Sequence, residues 1–256
     1  MAQTLWIGNI HFKTTNVPVK LLTAVSQNRI QLHLFHKTDG IKLRQQMICA
    51  YEKTPVSSDQ QLKGFRVGER SYIPISPEEL AQTEPKPSRT IAVHEFVKTD
   101  AIDPVFMGQT YRLEPAAPGK VYGLLAAALK ETGRQGLCTW TMRKRAHLGA
   151  LRSDGKSLNL IVLRFADEII RAKSLGLESF SISEKELNIA GELIGKLTVP
   201  FQPEKYTDEH QKKLRALIGK KARGEKIRLS KPKHLTATVP SKLLEVLEES
   251  LQKAAA

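Results

Sequence analysis

Cysteine is scarce in this chain, with only Cys49 and Cys138 among 256 residues, so no disulfide framework is expected and no oxidising compartment is required. Long apolar runs are missing as well: no stretch approaches the roughly 20 residues that a membrane-crossing helix needs. Aromatic residues make up 6% of the chain, and the basic stretches lack the interleaved Trp and Phe of an interfacial helix. No membrane partner is therefore expected. Met1-Ala2-Gln3-Thr4 has no basic leader character, so no signal peptide is expected and the location is expected to be cytoplasmic. Negative charge is also short, because 26 Asp and Glu face 40 Lys and Arg, leaving +14 and a pI near 9.8. Such an imbalance is the footprint of a protein that meets a polyanion.

Two apparent sites fail on spacing. His33 and His36 lie near Cys49, but the interval matches no zinc pattern and an extended chain would turn the two imidazoles to opposite faces; no metal and no cofactor are expected. Gly149 to Ser157 nearly spells a phosphate-binding loop, yet five residues separate Gly149 from Gly155 where that loop needs about four. Ser153-Asp154-Gly155-Lys156 reads instead as a hairpin turn before a buried strand at 158–163.

From residue 5 to about 164 the chain reads mainly as strand. Segments 5–12, 17–25, 30–35, 90–97, 107–113 and 136–142 are short, rich in β-branched or aromatic residues, and bounded by Gly, Pro, Asn or Asp. Many short strands suggest a barrel or sandwich. One helix interrupts them at 120–131, where Val121, Leu124, Leu125, Ala128 and Leu129 recur at helical spacing and Gly133 follows. After residue 181 the pattern becomes helical. Ser183-Glu184-Lys185-Glu186 is a capping box, and Leu187, Ala190, Leu193, Ile194 and Leu197 supply an apolar stripe. A second helix is predicted to begin at Pro203-Glu204-Lys205-Tyr206 and to run toward Gly219 or Gly224. From Lys196 to Thr236 twelve Lys and Arg stand against four Asp and Glu, so this stretch holds +8 of the net +14. A final helix at 241–253, after the Lys231-Pro232-Lys233 linker, carries Leu243, Leu244, Leu247 and Leu251 on one side.

Read in order, a set of short motifs resembles the bacterial Ku proteins of non-homologous end joining. They are L-W-I-G-N-I-H-F at 5–12, N-V-P-V-K-L at 16–21, H-K-T-D-G at 36–40, R-T-I at 89–91, E-F-V at 95–97 and I-D-P at 102–104. L-K-E-T-G at 129–133, H-L-G-A-L-R at 147–152, L-R-F-A-D-E-I at 163–169, S-E-K-E-L at 183–187 and P-E-K-Y at 203–206 continue the series. No motif decides the matter alone; their order along the whole chain does.

The resemblance implies an α+β, mainly β fold: a Ku-type β-barrel core over 1–182 with a bridge segment at about 29–84, a basic helical segment over 183–228, and a linker with a C-terminal amphipathic helix over 229–256. It further implies a non-enzymatic homodimer that binds double-stranded DNA ends irrespective of sequence and becomes nucleoid-associated when bound to DNA. Lys42 and Arg44 occupy the family's basic pair after the D-G turn and are the leading candidates for phosphate contact. Arg29, Lys37, Lys53, Lys63, Arg66 and Arg70 complete the basic set of the bridge, and Lys212, Lys213, Lys220, Lys221 and Arg223 that of the helical segment. The leucines of the final helix, Leu243, Leu244, Leu247 and Leu251, are similar to the element through which bacterial Ku recruits DNA ligase D.

Two departures stand out. Many family members carry C-x-x-C after the basic pair, whereas Cys49-Ala50-Tyr51-Glu52 keeps only the first cysteine. Gln46 and Met47 replace basic residues common at that place. A basic DNA-processing nuclease or an RNA-associated protein are the alternative readings, but the adjacent carboxylates Asp167-Glu168 read as capping residues.

Overall fold

The computed structural model describes residues 3–26, 29–69, 71–117, 119–170 and 182–225. Its strands are β1 (Thr4–Phe12), β2 (Thr15–Thr23), β3 (Lys63–Arg66), β4 (Tyr72–Ile75), β5 (Thr90–Lys98), β6 (Met107–Pro115), β7 (Arg134–Met142), β8 (Arg145–Ser153) and β9 (Leu158–Leu163). Four α-helices are formed by described residues: α1 (Pro77–Thr83), α2 (Lys120–Glu131), α3 (Glu184–Leu197) and α4 (Glu209–Ala222). The fold is mainly β.

Seven strands close into a barrel in the order β1-β2-β6-β9-β8-β7-β5. An odd number of strands cannot alternate direction all the way round a ring. One parallel contact is therefore obligatory, and it falls between β1 and β5, where Asn9 faces Thr90, Ile10 faces Ile91 and His11 faces Ala92. The remaining neighbours are antiparallel.

The interior follows from the two-residue period of the strands. Val17, Val19 and Leu21 of β2 and Cys138, Trp140 and Met142 of β7 point inward and are buried. Burial pushes the Cys138 thiol up to about 12, which keeps it protonated and unreactive. β9 is buried on both faces, because Ile161 and Leu163 join Ala150 in a second cluster beneath Ile102 and Phe106. α2 packs on the barrel through Tyr122, Leu125, Ala126 and Leu129. Its bounds are those predicted from the sequence.

Several motif residues prove to be structural. A Cβ at Gly8 would collide with the Trp6 indole and the Arg89 carbonyl, and one at Gly149 would stand 2.5 Å from Cζ3 of Trp140 and 2.8 Å from the Ile161 carbonyl oxygen. Asp103 accepts from the Val105 amide at 2.9 Å, and the Arg164 guanidinium donates to the carbonyls of Val105 and Met107 at 2.7 Å each. Glu168 accepts from the Phe165 amide at 2.7 Å, so this carboxylate caps a short turn. In the Asp154 turn, the amides of Lys156 and Ser157 donate to Asp154 Oδ1 at 2.9 and 2.7 Å. Those amides are taken by the turn's own carboxylate instead of facing a phosphate.

Two expectations are corrected. The 30–35 run forms no strand: Phe35 makes an isolated bridge to Lys42, and Leu32, Leu34 and Phe35 are all exposed. β-Branched and apolar residues favour strands only where a ladder and a packed face await them; here the pairing is limited to residues 34–36 against 41–43, and Leu32, Leu34 and Phe35 meet no packed face. Pro203–Lys205 is a separate single turn, and α4 starts later because Asp208 accepts from the Gln211 amide at 3.0 Å as its N-cap. The capping box at Ser183 is present as expected, with Glu186 accepting from the Ser183 amide at 2.8 Å. α1 has the same device, Ser76 with Glu79, although its stretch reads as bridge in the sequence.

The described residues divide into two compact units, one of 3–26 and 33–170, the other of 29–32 and 182–225.

Candidate nucleic-acid interface

Between β2 and α1 the first unit runs through three successive hairpins. The first turns at His36 to Gly40, where the His36 amide donates to Ile41 O at 2.8 Å and Gly40 adopts φ +69°. Asp39 holds this turn. It accepts from the Ile41 amide at 2.9 Å and meets His36 Nδ1 at 2.7 Å, bonds that lower its pKa, the Ile41 amide contributing most. Lys37 therefore sits at the tip, Lys42 lies opposite Phe35, and Arg44 follows two residues on. All three are exposed.

The second hairpin pairs Ile48 with Pro55 and turns through Cys49 to Thr54. Lys53 takes φ +59° there, a conformation usually left to glycine, while its amide donates to Cys49 O at 2.9 Å. The backbone amides of Glu52 and, to a lesser degree, Tyr51 draw the Cys49 thiol pKa down. In the third hairpin β3 pairs with β4. Lys63 and Arg66 lie on the same strand, but the Arg66 guanidinium donates to the carbonyls of Gly68 and Glu69 at 2.8 and 2.9 Å and so stitches its own turn.

None of the described residues from 33 to 80 is buried. Large apolar side chains share that exposure: Ile41 is 65% exposed, Met47 69%, Tyr51 93%, Phe65 65% and Tyr72 62%. Isolated exposed leucines are ordinary on protein surfaces, whereas a contiguous arm of apolar residues marks a contact surface.

In the second unit the Ile30 amide donates to Gln211 Oε1 at 3.0 Å, which holds Arg29 in the unit that contains α4. Lys212, Lys213, Lys220 and Lys221 are exposed on α4, and Arg223 follows at its C-cap. Lys212 lies 3.6 Å from Glu209, and Arg223 pairs with Glu225 at 2.6 Å. Both pairs are solvent-exposed and contribute little to stability. The stripe of α3 is formed but uncovered within this unit, with Leu187 63% and Ile194 68% exposed. Arg70, Leu243, Leu244, Leu247 and Leu251 lie outside the described residues.

The structure also groups cations that the linear charge count passes over. Lys86, Arg89, Arg143 and Lys144 line one cleft of the first unit. The signal available in the sequence is the Arg143-Lys144 dipeptide joining two strand-like runs, at a turn where Asn-Gly would be usual.

A family model described as the Ku70/Ku80 beta-barrel domain matches residues 11–189 of this chain. The chain belongs to the Ku family. Over 252 residues it is 56% identical to "Non-homologous end joining protein Ku 2" of Geotalea uraniireducens (strain Rf4), a match covering 98% of each chain. It is 35% identical to "Non-homologous end joining protein Ku" of Anaeromyxobacter sp. (strain K), over 99% of this chain and 86% of that one. The "Ku 1" protein of the same Geotalea strain is 31% identical, over 98% of this chain and 97% of that one. Gly8, Gly149 and Arg164 thus support the barrel, while Lys37, Lys42, Arg44, Lys53 and Lys63 sit on hairpins without a buried core and Lys212, Lys213, Lys220 and Lys221 on α4. Among the described residues no group of three or more His, Cys, Asp or Glu is close enough to hold a metal ion, and no helix is long and apolar enough to cross a membrane.

Proposed function

We propose that this chain is a non-enzymatic clamp for double-stranded DNA ends, working as a homodimeric ring in non-homologous end joining. The observation that carries the reading is the arm from 33 to 80, basic and apolar at once, with no buried residue among those described. An arm of this kind needs a surface to cover its apolar residues, and a second copy of the same arm satisfies that need by two-fold symmetry. Lys37, Lys42, Arg44, Lys53 and Lys63 are then left for phosphates, with Arg66 reduced to whatever its turn bonds allow. Arg29, Lys212, Lys213, Lys220, Lys221 and Arg223 add a second basic surface, and Arg70 belongs with the bridge set by sequence. Phosphate contacts carry no sequence information, so affinity is general and strongly salt-dependent. Preference for ends comes from topology, since a closed ring loads only where the duplex stops. The relatives named for non-homologous end joining support this role. The division into core with bridge, basic helices and C-terminal recruiting element is part of the same proposal.

Leu243, Leu244, Leu247 and Leu251 extend it: an apolar helix face after a linker would dock on a multifunctional DNA ligase D and bring it to the end. The test uses linear duplex and covalently closed circles of equal composition, with the dimer followed by sedimentation. Retention of linear DNA alone by a dimer is expected, and equal retention of circles would overturn the ring. For the tail, Leu247→Asp with Leu251→Asp should abolish ligase stimulation with end binding and melting temperature unchanged. A fall in melting temperature that accounts for the missing stimulation would overturn recruitment.

A further inference from the structure

The cleft lined by Lys86, Arg89, Arg143 and Lys144 has a volume of about 690 Å³, within the about 300–1,000 Å³ of small-ligand sites. Three separate pieces of chain build it: Trp6 of β1, the stretch from Ala81 of α1 to Arg89 leading into β5, and the β7–β8 hairpin from Thr141 to Lys144. Its chemistry is divided. Trp6, Met142 and prolines 85 and 87 form apolar walls, whereas the four cations supply the polar rim. All four are exposed, and only Lys144 has a carboxylate partner among the described residues, Glu84 at 2.9 Å. That ion pair joins the two sides of the cleft and leaves Lys86, Arg89 and Arg143 facing outward without an ion pair.

The hairpin adds an independent sign. Arg143 and Lys144 both lie in the left-handed region, with φ of +50° and +65°, as the central residues of a two-residue turn. Asn-Gly satisfies such a turn without strain. Two long cations held there against backbone preference are backbone outliers of the kind that cluster at ligand sites.

An aromatic ring beside a ring of unpaired cations fits a flat base attached to phosphate. We propose that this cleft takes an unpaired nucleotide of a broken DNA end, its base against Trp6 and its phosphates on Lys86, Arg89 and Arg143. The proposal rests on the end-binding reading and goes further: it lets the protein distinguish an overhang from a blunt end.

Labelled blunt duplex, the same duplex with a short single-stranded overhang, and free deoxynucleotide monophosphate are compared by anisotropy and by tryptophan fluorescence. Of the two tryptophans Trp140 is only 3% exposed, so quenching reports Trp6. The overhang should bind about fivefold more tightly than the blunt end, the lower end of what one base stacked on an aromatic ring supplies. It should also quench Trp6 where the blunt duplex does not. Lys86→Gln with Arg143→Asn should remove the preference and leave blunt-end affinity and melting temperature unchanged; asparagine tolerates the left-handed position. Equal affinity for both ends without quenching would overturn the proposal, as would quenching by free nucleotide with no overhang preference, which would assign the cleft to a soluble nucleotide. Failure to bind either duplex is a different result and strikes the end-binding reading itself.

Discussion

The hydroxyl of Tyr122 accepts from the Leu158 amide at 2.9 Å. The same oxygen donates to the Leu113 carbonyl at 2.6 Å, so one side chain of α2 links β6 to β9 at the end of the barrel. Burial is the main cause of the raised pKa of this phenol, which stays neutral throughout the ordinary pH range. Tyr122→Phe leaves a buried donor and a buried acceptor without partners. A loss of about 1–3 kcal/mol is expected in urea denaturation, with DNA-end affinity unchanged because Tyr122 is buried against the barrel and belongs to neither exposed basic surface.

Gly149→Ala tests the packing of the barrel wall. The added methyl meets Trp140 on one side and the Ile161 carbonyl on the other, and a carbonyl within a ladder cannot move aside. Overpacking of this kind costs about 1–3 kcal/mol. Gly123→Ala is the matched control, since nothing lies within 4 Å of its added methyl and the site is helical. It should raise stability by roughly 0.5–1 kcal/mol.

Asp154 gives the acid limb of stability. Hydrogen bonds from the Ser157 hydroxyl and the Ser157 and Lys156 amides lower its pKa from 3.8 to about 2. A carboxyl whose folded pKa lies below its unfolded one contributes stability above the unfolded value and loses it as pH falls toward the folded value. The window therefore runs from about 3.8 down to about 2. Asp154→Asn should be less stable than wild type at neutral pH, and the gap should narrow across that window in melting curves; a constant gap would assign the effect to shape alone.

Lys42→Ala combined with Arg44→Ala removes two exposed cations of the first hairpin and should change stability by about 0.5 kcal/mol or less. For every phosphate that the variant no longer neutralises, the log-log slope of affinity against salt should become shallower by about 0.9. An unchanged slope would place both side chains in solvent.

The barrel was readable where two conditions coincided. β9 matches its predicted bounds because apolar composition and burial on both faces agree there; α2 matches in its bounds, but it packs through Tyr122, Leu125, Ala126 and Leu129 and leaves Val121, Leu124 and Ala128 of the expected stripe exposed. The bridge was less readable, since none of its described residues is buried and its apolar residues carry no face-specific pattern. The 30–35 run shows the failure directly, being strand-like in composition with only a single bridge and no packed face. The candidate site was half visible. Lys42 and Arg44 follow a recognisable turn, but Arg66 turned out to be occupied with Gly68 and Glu69. Lys86, Arg89 and Arg143 meet only after β5, β7 and β8 have paired, and a linear charge count cannot register such a meeting.

The lone parallel pairing also dictates an order of assembly. Strands β5, β7, β8, β9 and β6 form a continuous sheet from one stretch of chain, whereas the β1–β2 hairpin must slot between β6 and β5 across the loop that contains the whole bridge. Closing a long loop is entropically unfavourable and slow, so the hairpin is expected to dock last and leave first. Amides of β1 facing β5 should exchange with deuterium sooner than those between β7 and β8, which gives the closed barrel a door at the strand that carries Trp6.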